Sequence, residues 1–345
     1  MRIGKVDTNQ RVFVIAEVGN NHEGSEEVAA ELVKRAAATG VDAVKFQTFK
    51  TEQFTAGDDA ARIQRLKGFE LSYDAFARLA ELCTKEGVLF MSTPLDLESA
   101  AFLEPHVAAY KIASSDNDCW PLLSQVARTG KPMIVSGGLA GIHQLRLAEA
   151  FVRDVWRRHA LPGELAILHC VTSYPVADAD ANLAAIRSLR EALDCEIGYS
   201  DHTIGIEAAV LSIACGARIV EKHFTLSKTY SDFRDHQLSA DPTDLASLVS
   251  RIRWAEAALG SGNKEQSPGE RELEPLVRRS IATRGALPKG HVLSWSDLVW
   301  LRPGRGLAAG REGEVLGRRL SQDVPAGHIL AASDLEDAAH PSSKL

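Results

Sequence analysis

Through the first two-thirds of the chain, short β-branched and apolar runs alternate with longer segments of helical period. This alternation limits the fold more than any other feature. The strands it predicts are Val12–Ala16, Ala43–Phe46, Val88–Met91, Ala109–Ala113, Met133–Val135, Leu165–Cys170, Glu196–Tyr199 and Arg218–Glu221. Amphipathic stretches such as Glu26–Ala38, Tyr73–Glu86, Ile142–His159, Leu183–Leu193 and Ile206–Gly216 lie between them, and Gly40, Gly87, Gly130 and Gly216 stand where helices stop. Strands separated by helices pair in parallel through right-handed crossovers. Eight such units predict an α/β fold closed into a (β/α)8 TIM barrel, with an open doubly wound sheet as the alternative. The barrel is preferred because no strand is followed by a GxGxxG or GxxxxGKS/T loop, the usual phosphate loops of open sheets.

A last helix over Pro242–Leu259 closes the barrel, and the glycine- and serine-containing Gly260–Glu270 reads as a linker. Beyond it a small β-rich unit carries an internal echo. Leu287–Leu298 matches Val324–Leu335, each with a Pro-x-Gly-His turn (Pro288, Gly290, His291 and Pro325, Gly327, His328). The echo predicts two related hairpins in a compact, pseudo-symmetric domain, with both histidines structural. The expected divisions are a barrel of 1–259, a linker of 260–276, the small domain of 277–338 and a tail of 339–345, the polar end from Glu336 onward being frayed.

The length of 345 residues suits a barrel with a small appendage. No apolar run approaches the roughly 20 residues that span a bilayer, and Met1–Lys5 lack the apolar core of a signal peptide. Five scattered cysteines, odd in number, suit a reducing cytoplasm better than a disulfide framework. The net charge of −7, with no basic stripe, argues against a nucleic-acid partner. Any anionic substrate must then be held by a local cluster of cations and backbone amides.

In a barrel of this kind chemistry is carried at the C-terminal ends of the strands. Strand one runs into Glu17 and Asn20-Asn21-His22; strand two ends Lys45-Phe46-Gln47-Thr48; strand three ends Ser92-Thr93. Strand four ends in Lys111 and Ser114-Ser115-Asp116, and strand five in Ser136-Gly137-Gly138. Strand six carries His169, Thr172, Ser173 and Tyr174, strand seven Ser200-Asp201-His202, and strand eight Glu221-Lys222-His223. Eight polar sets converging on one rim predict an active site.

Lys45 and Lys111, with the hydroxyls of Ser92, Thr93, Ser114, Ser136 and Ser200, form a collection suited to a phosphate and a carboxylate. Both lysines follow apolar residues inside strands, where an unpaired ammonium is costly to bury. His202 and His223 end neighbouring strands, where two imidazoles either share one divalent metal or make ordinary strand-end hydrogen bonds. Glu17, after Val-Ile-Ala, points into the barrel mouth, where burial or a lysine neighbour can tune it for acid–base work.

At these residues the sequence resembles the sialic acid synthase family. The matching pieces are Ile15–Gly24, Lys45–Phe49, Ser92–Pro94, Tyr110–Ser114, His169-Cys170 with Tyr174-Pro175, Gly198–Thr203 and Glu221–Thr225, in the family's order. The C-terminal unit, including Leu301-Arg302-Pro303-Gly304, resembles the family's antifreeze-like SAF domain, a small β-clip. The resemblance implies that C3 of phosphoenolpyruvate adds to the open-chain aldehyde of an N-acetylated sugar, releasing phosphate and giving a nine-carbon 2-keto acid. It implies a divalent metal, Mn2+ or Mg2+, on His202 and His223, polarising the aldehyde. It assigns phosphoenolpyruvate to Lys45, Thr93, Lys111, Ser114, Ser136, Thr172 and Ser200, acid–base work to Glu17, and the sugar to Gln47, Asp116, Tyr174 and Asp235. It further implies a homodimer with swapped C-terminal domains, in which Arg302 of the partner chain reaches the sugar's acyl group.

Three departures bear on the sugar. Asp116 stands where relatives making N-acetylneuraminate often have glutamate, and Gly137-Gly138 replaces a Thr-Gly. The loop Ser231-Asp232-Phe233-Arg234-Asp235-His236 is longer and more charged than the family's usual turn; its arginine either meets an altered substituent or pairs with Asp232, the pairing being preferred. The alternative acceptors are those of legionaminic or pseudaminic acid synthases, or a specialised sugar. A non-catalytic carbohydrate binder would show decay of the rim residues, and a Schiff-base aldolase would not surround its lysines with hydroxyls.

Overall fold

The computed structural model describes residues 1–336, so the expected tail of 339–345 and the last two positions of the 277–338 domain lie outside the described residues. The chain divides into two compact units, Met1–Ser261 and the remainder from Gly262. In the first, eight parallel strands are β1 Phe13–Gly19, β2 Ala43–Thr48, β3 Leu89–Pro94, β4 Tyr110–Ile112, β5 Met133–Ser136, β6 Leu165–Cys170, β7 Glu196–Asp201 and β8 Ile219–His223. Hydrogen-bonded ladders join them in the order β3-β2-β1-β8-β7-β6-β5-β4. The end strands β3 and β4 are in contact, so the sheet curls into a nearly closed barrel. The helices that follow the strands are α1 Glu26–Ala37, α2 Tyr73–Lys85, α3 Leu97–Leu103, α4 Trp120–Ala127, α5 Ile142–His159, α6 Ala185–Ala192, α7 Glu207–Cys215 and α8 Pro242–Leu259.

Local chemistry sets these elements. Ser25, Ser72 and Asp96 cap α1, α2 and α3 by accepting from Val28, Ala75 and Ser99 amides, and Asp241 caps α8 ahead of Pro242. Side chains alternate across each strand. Val14, Ala16, Val44, Phe46, Tyr110 and Val135 face out and pack with helix residues such as Leu32, Leu79 and Val152. Phe13, Ile15, Ala43, Met91, Ile134, Leu168 and Ile219 face in and fill the lower barrel. Ile3, from a short N-terminal hairpin of Arg2–Ile3 with Val6–Asp7, packs against this inner cluster. Each such side chain fully buried contributes about 1.5–3 kcal/mol. Above the apolar layers the next inward position on most strands is polar, and there the site begins. No helix of the described residues is long and apolar enough to cross a membrane.

The strands reach further than expected from sequence. β1, β2, β3, β7 and β8 run two or three residues beyond the predicted ends, so Glu17, Gln47, Thr93, Ser200 and His223 lie on the strands rather than on the loops. Ladder hydrogen bonds from the flanking strands carry these polar residues into extended backbone, although of them only Thr93 is of a type enriched in strands. Between β2 and α2 the chain also forms the helices Thr51–Phe54 and Ala60–Phe69, which periodicity had not marked.

The second unit corrects two expectations. The span read as a linker contains a helix, Pro268–Val277, started by a Ser267/Glu270 capping box and burying no residue. The echoed segments do not fold as two separate hairpins. Each pairs with the stretch that precedes the other: Val292 bridges Arg319 while Ile329 bridges Ala282, and Leu287 pairs with Val324. The strands β9 Ser280–Thr283 and β10 Leu298–Leu301 and the cluster of Ile281, Leu293, Leu298, Val315, Leu320 and Leu330 complete this interlocked domain. His291 and His328 each donate to the aspartate six residues on, Asp297 and Asp334, at 3.1 and 2.9 Å, the structural role expected of them.

Candidate active site

Period two carries the inward face of each strand directly into the site. Phe13 and Ile15 are followed by Glu17, Ala43 by Lys45, Met91 by Thr93, Ala109 by Lys111, Ile134 by Ser136, Leu168 by Cys170 and Ile219 by Glu221 and His223. These residues line a cavity of about 210 Å³ at the C-terminal mouth, with Ser114, Thr172, Tyr174, Ser200 and His202. A larger hollow of about 790 Å³ opens by Asn9, Gly216 and Gly260, at the opposite end of the barrel. Its Arg190, in the last turn of α6, and Arg218 sit among the C-termini of α6, α7 and α8. Cations there complement the helix dipoles and need no ligand.

The lysines are held by carboxylates and hydroxyls. Lys45 Nζ lies 2.8 Å from Glu17 Oε2 and 3.7 Å from Glu221 Oε2, and donates to Thr93 Oγ1 at 3.0 Å. Lys111 Nζ donates to Ser136 Oγ at 2.6 Å and to the Ile112 carbonyl at 3.1 Å, and lies 3.9 Å from Glu221 Oε1. Ser200 Oγ donates to Glu221 Oε1 at 2.9 Å. Glu221 thus stands between both lysines, a residue the site assignment from sequence left out. The signal was available: it occupies the same strand face as Ile219 and His223.

Burial raises the Glu17 carboxyl to about 6, against the pull of Lys45 and helped by the Glu221 charge. Burial acts to raise Glu221 too, but Lys111, Lys45 and the Ser200 hydroxyl outweigh it and hold that carboxyl low. For Lys45 the desolvation cost is outweighed by Glu17 and Glu221, and its ammonium is favoured. Lys111 is pulled down by burial, which Glu221 only partly offsets. The result is a buried site with two cations, one firm anion and one carboxyl tuned towards neutrality.

His202 and His223 come together with ring centroids 5.3 Å apart. His202 Nδ1 donates to the Val171 carbonyl at 2.9 Å, which leaves the Nε2 lone pair for another partner. His223 is held well below its ordinary value by burial, reinforced by His202 and the lysines, and its buried Nδ1 has no hydrogen-bond partner among the described residues. For His202 burial is outweighed by Cys170 and the Val171 carbonyl, which favour its protonated form; with that proton displaced, the two adjacent imidazoles, one with an orphaned nitrogen, fit a divalent ion. Among the described residues no group of three or more His, Cys, Asp or Glu suited to a metal occurs, so the two histidines are the metal-ligand candidates the barrel mouth offers. Cys170, also outside the assignment, places Sγ 3.9 Å from His202 Nδ1 and 3.6 Å from Ser114 Oγ.

Two glycines make room. A β-bulge after Glu17 puts Gly19 at φ +54°, where a Cβ would stand 3.4 Å from Glu17 Oε1. At Gly138 a Cβ would fall 2.2 Å from Thr172 Oγ1 and 2.6 Å from Ser114 Oγ, so glycine keeps those hydroxyls clear.

Of the residues expected at the sugar, Gln47 and Tyr174 line the cavity, and with His223 they also line an adjoining hollow of about 450 Å³ that includes Asp235. Asp116 lines neither; on the turn after β4, its carboxylate accepts from Ser115 Oγ at 3.0 Å. Arg302 is exposed directly after β10 in the second unit. The preferred Arg234–Asp232 pairing is not what forms: Arg234 Nε lies 3.3 Å from Asp235 Oδ1, and the guanidinium sits over the Tyr174 ring, 5.3 Å from its centroid. Cation–π attraction and the better-buried carboxylate outcompete the solvent-facing Asp232. Lys222, though within the rim's last triplet, faces out and donates to Asp201 Oδ2 at 3.0 Å and to the Thr203 carbonyl at 2.6 Å.

Known proteins carry the same frame. Residues 32–264 match the NeuB family and 278–336 the SAF domain. The N,N'-diacetyllegionaminic acid synthase of Legionella pneumophila is 38% identical over 94% of each chain. The human N-acetylneuraminate-9-phosphate synthase is 30% identical over 83% of this chain and 82% of its own. The structure of an N-acetylneuraminic acid synthetase from Leptospira borgpetersenii, 34% identical, superposes with a TM-score of 0.73 over 79% of this chain and 94% of that one. A barrel with this rim, joined to an interlocked β domain and matched across its length by such synthases, belongs to the NeuB family and carries a C-terminal SAF domain.

Proposed function

We propose that this enzyme condenses phosphoenolpyruvate with the open-chain aldehyde of an acylated amino sugar, giving a nonulosonic acid and phosphate. The observation that carries the reading is the pairing, in one buried cavity, of two hydroxyl-flanked lysines with two adjacent imidazoles, one of them carrying an unpartnered nitrogen.

Phosphoenolpyruvate brings a phosphate and a carboxylate, which Lys45 with Thr93 and Lys111 with Ser136 are placed to neutralise, and Ser114, Thr172 and Ser200 add donors around them. In the overall step C3 of the enol bonds to the aldehyde carbon, water adds at C2 and phosphate departs. Glu17, with its raised carboxyl and its contacts to Lys45 and Gln47, is the group suited to move a proton during these changes. His202 and His223 would hold Mn2+ or Mg2+, which supplies Lewis-acid polarisation of the aldehyde oxygen when bound. Gln47, Tyr174 and Asp235 would orient the acceptor chain; Arg302 of a partner chain in a domain-swapped homodimer belongs to the same proposal. A monomer by light scattering at working concentration removes that last element.

The test is phosphate release from phosphoenolpyruvate, followed with an acylamino-sugar acceptor and with Mn2+ or Mg2+. Release is expected to need both, and His202→Ala is expected to lower it about a hundredfold or more while weakening Mn2+ binding by calorimetry. Undiminished release in chelator, or from the variant, would sink the metal assignment; no release with any acceptor would sink the condensation.

A further inference from the structure

β8 runs one residue past its ladder with β7. Lys222 pairs with Asp201, the last residue of β7, whereas His223 pairs with Glu17 of β1 and has no ladder partner on its other side among the described residues. The strand end that aims His223 therefore draws support from beyond the sheet. Part of it is backbone: the Phe224 N–H reaches the Glu17 carbonyl at 2.7 Å, and the Ala240 N–H donates to the His223 carbonyl at 2.8 Å. The rest comes from Asn21, a rim residue to which the proposed chemistry gives no part. Past the bulge at Gly19 its N–H closes a turn onto the Val18 carbonyl at 2.9 Å, and its side chain is buried, 1% exposed. Asn21 Nδ2 donates twice, to the Phe224 carbonyl at 2.8 Å and to Ser239 Oγ at 3.0 Å. Ser239 Oγ in turn donates to the Asp235 carbonyl at 2.5 Å. The Phe224 carbonyl can only accept, so it fixes which way the amide lies; turned over, Asn21 would set oxygen against oxygen. As it lies, its buried Oδ1 has no hydrogen-bond partner among the described residues. A bare buried oxygen costs stability, so what recommends asparagine here is the pair of donations from its NH2 group rather than its packing.

Resting on the condensation reading, in which His223 serves the metal and Asp235 the acceptor, we propose that Asn21 is a positioning residue that sets both. One amide ties the strand end that aims His223 to the backbone of the loop that carries Asp235. Lys45, Thr93, Lys111 and Ser136, on β2 to β5, take no part in these bonds, so the phosphoenolpyruvate side of the mouth does not depend on Asn21.

The experiment compares the unaltered chain with Asn21→Leu and Ser239→Ala. Calorimetry gives the affinities for Mn2+ and for phosphoenolpyruvate, each alone. Phosphate release gives the acceptor KM, with N-acetylmannosamine or a diacetamido hexose, whichever turns over faster. Asn21→Leu keeps the shape of the side chain, adds no charge and removes both donors. It is expected to weaken Mn2+ binding about 10–100-fold, the range for losing a group that orients a metal ligand, and to raise the acceptor KM several-fold, while phosphoenolpyruvate binding hardly moves. Ser239→Ala cuts only the arm to the loop, so the acceptor KM should rise with Mn2+ affinity unchanged. An unmoved Mn2+ affinity or acceptor KM in folded Asn21→Leu overturns the inference. So does phosphoenolpyruvate binding weakened as much as Mn2+ binding, the mark of a merely structural role. Should Asn21→Leu fail to fold, Ser239→Ala decides: an acceptor KM at the unaltered value, or Mn2+ affinity lost alongside it, overturns the inference. An unaltered chain that binds no Mn2+, or releases no phosphate with either acceptor, overturns the condensation reading instead, and this inference with it.

Discussion

The two halves of the barrel mouth are built on different foundations. Glu17, Lys45, Lys111, Ser200, Glu221 and His223 are all buried and stand on strands; ladders flank Glu17, Lys45, Ser200 and Glu221 on both sides, and Lys111 and His223 on one. The half proposed for the acceptor hangs from the helix Ala60–Phe69, which buries none of its own residues, and from Ser231–Asp235. That loop is tied mainly through Glu23, which accepts from Ser231 Oγ and from His236 Nε2. Register places a strand-borne side chain as rigidly as the sheet itself, whereas a loop can change length and composition without disturbing the core. Under the function proposed above, the condensing groups of this chain are part of the barrel and the sugar-reading groups are additions to it.

The comparison can be broken first at Lys111. Replacing it by methionine should lower kcat/KM for phosphoenolpyruvate by about a hundredfold to a thousandfold. The thermal midpoint should stay level or rise, because a site assembled for charge is not assembled for stability. A loss of stability without loss of rate would mean that Lys111 holds the barrel rather than the substrate.

Lys222 tests the opposite expectation on the adjacent strand. It faces outward, fully buried, and is the cation paired with Asp201, whose Oδ1 also accepts from Tyr199 and Thr203. Lys222→Met leaves that buried carboxylate without a counter-charge and should cost about 3–5 kcal/mol in urea unfolding, with part of the loss returned when Asp201→Asn is added. A cost below about 1 kcal/mol would show that the pair does not secure the strand half of the mouth. The smallest effect is expected on the loop half: Asp235→Ala should raise the acceptor KM about tenfold and leave that for phosphoenolpyruvate alone. Equal changes in both would erase the division drawn here.

Much of the site is legible in the sequence, and for a definite reason. Alternating elements imply parallel strands, parallel strands closed by helices imply one catalytic rim, and period two tells which residue of each pair faces it. Lys45, Thr93, Lys111, Ser136, Ser200, His202 and His223 meet in one cavity as that logic requires. Glu221 obeyed the same logic and was passed over beside the more conspicuous His223. Asp116, matched by position to a sugar contact, follows Ser114 and Ser115 of the cavity wall but is in neither lining itself.

By itself, then, the sequence determined the barrel, the inward face of each strand and the chemical types gathered at the mouth, because propensity and periodicity are local properties written residue by residue. The tertiary structure decided which charges pair: Glu221 with both lysines, Lys222 with Asp201, Arg234 with Asp235 and Tyr174. It also decided that the two echoed segments interlock instead of folding each upon itself. Those choices depend on distances closed between residues far apart in the chain, and several partners of the right charge were available to each. Curvature of the sheet and the fit of the loops selected among them.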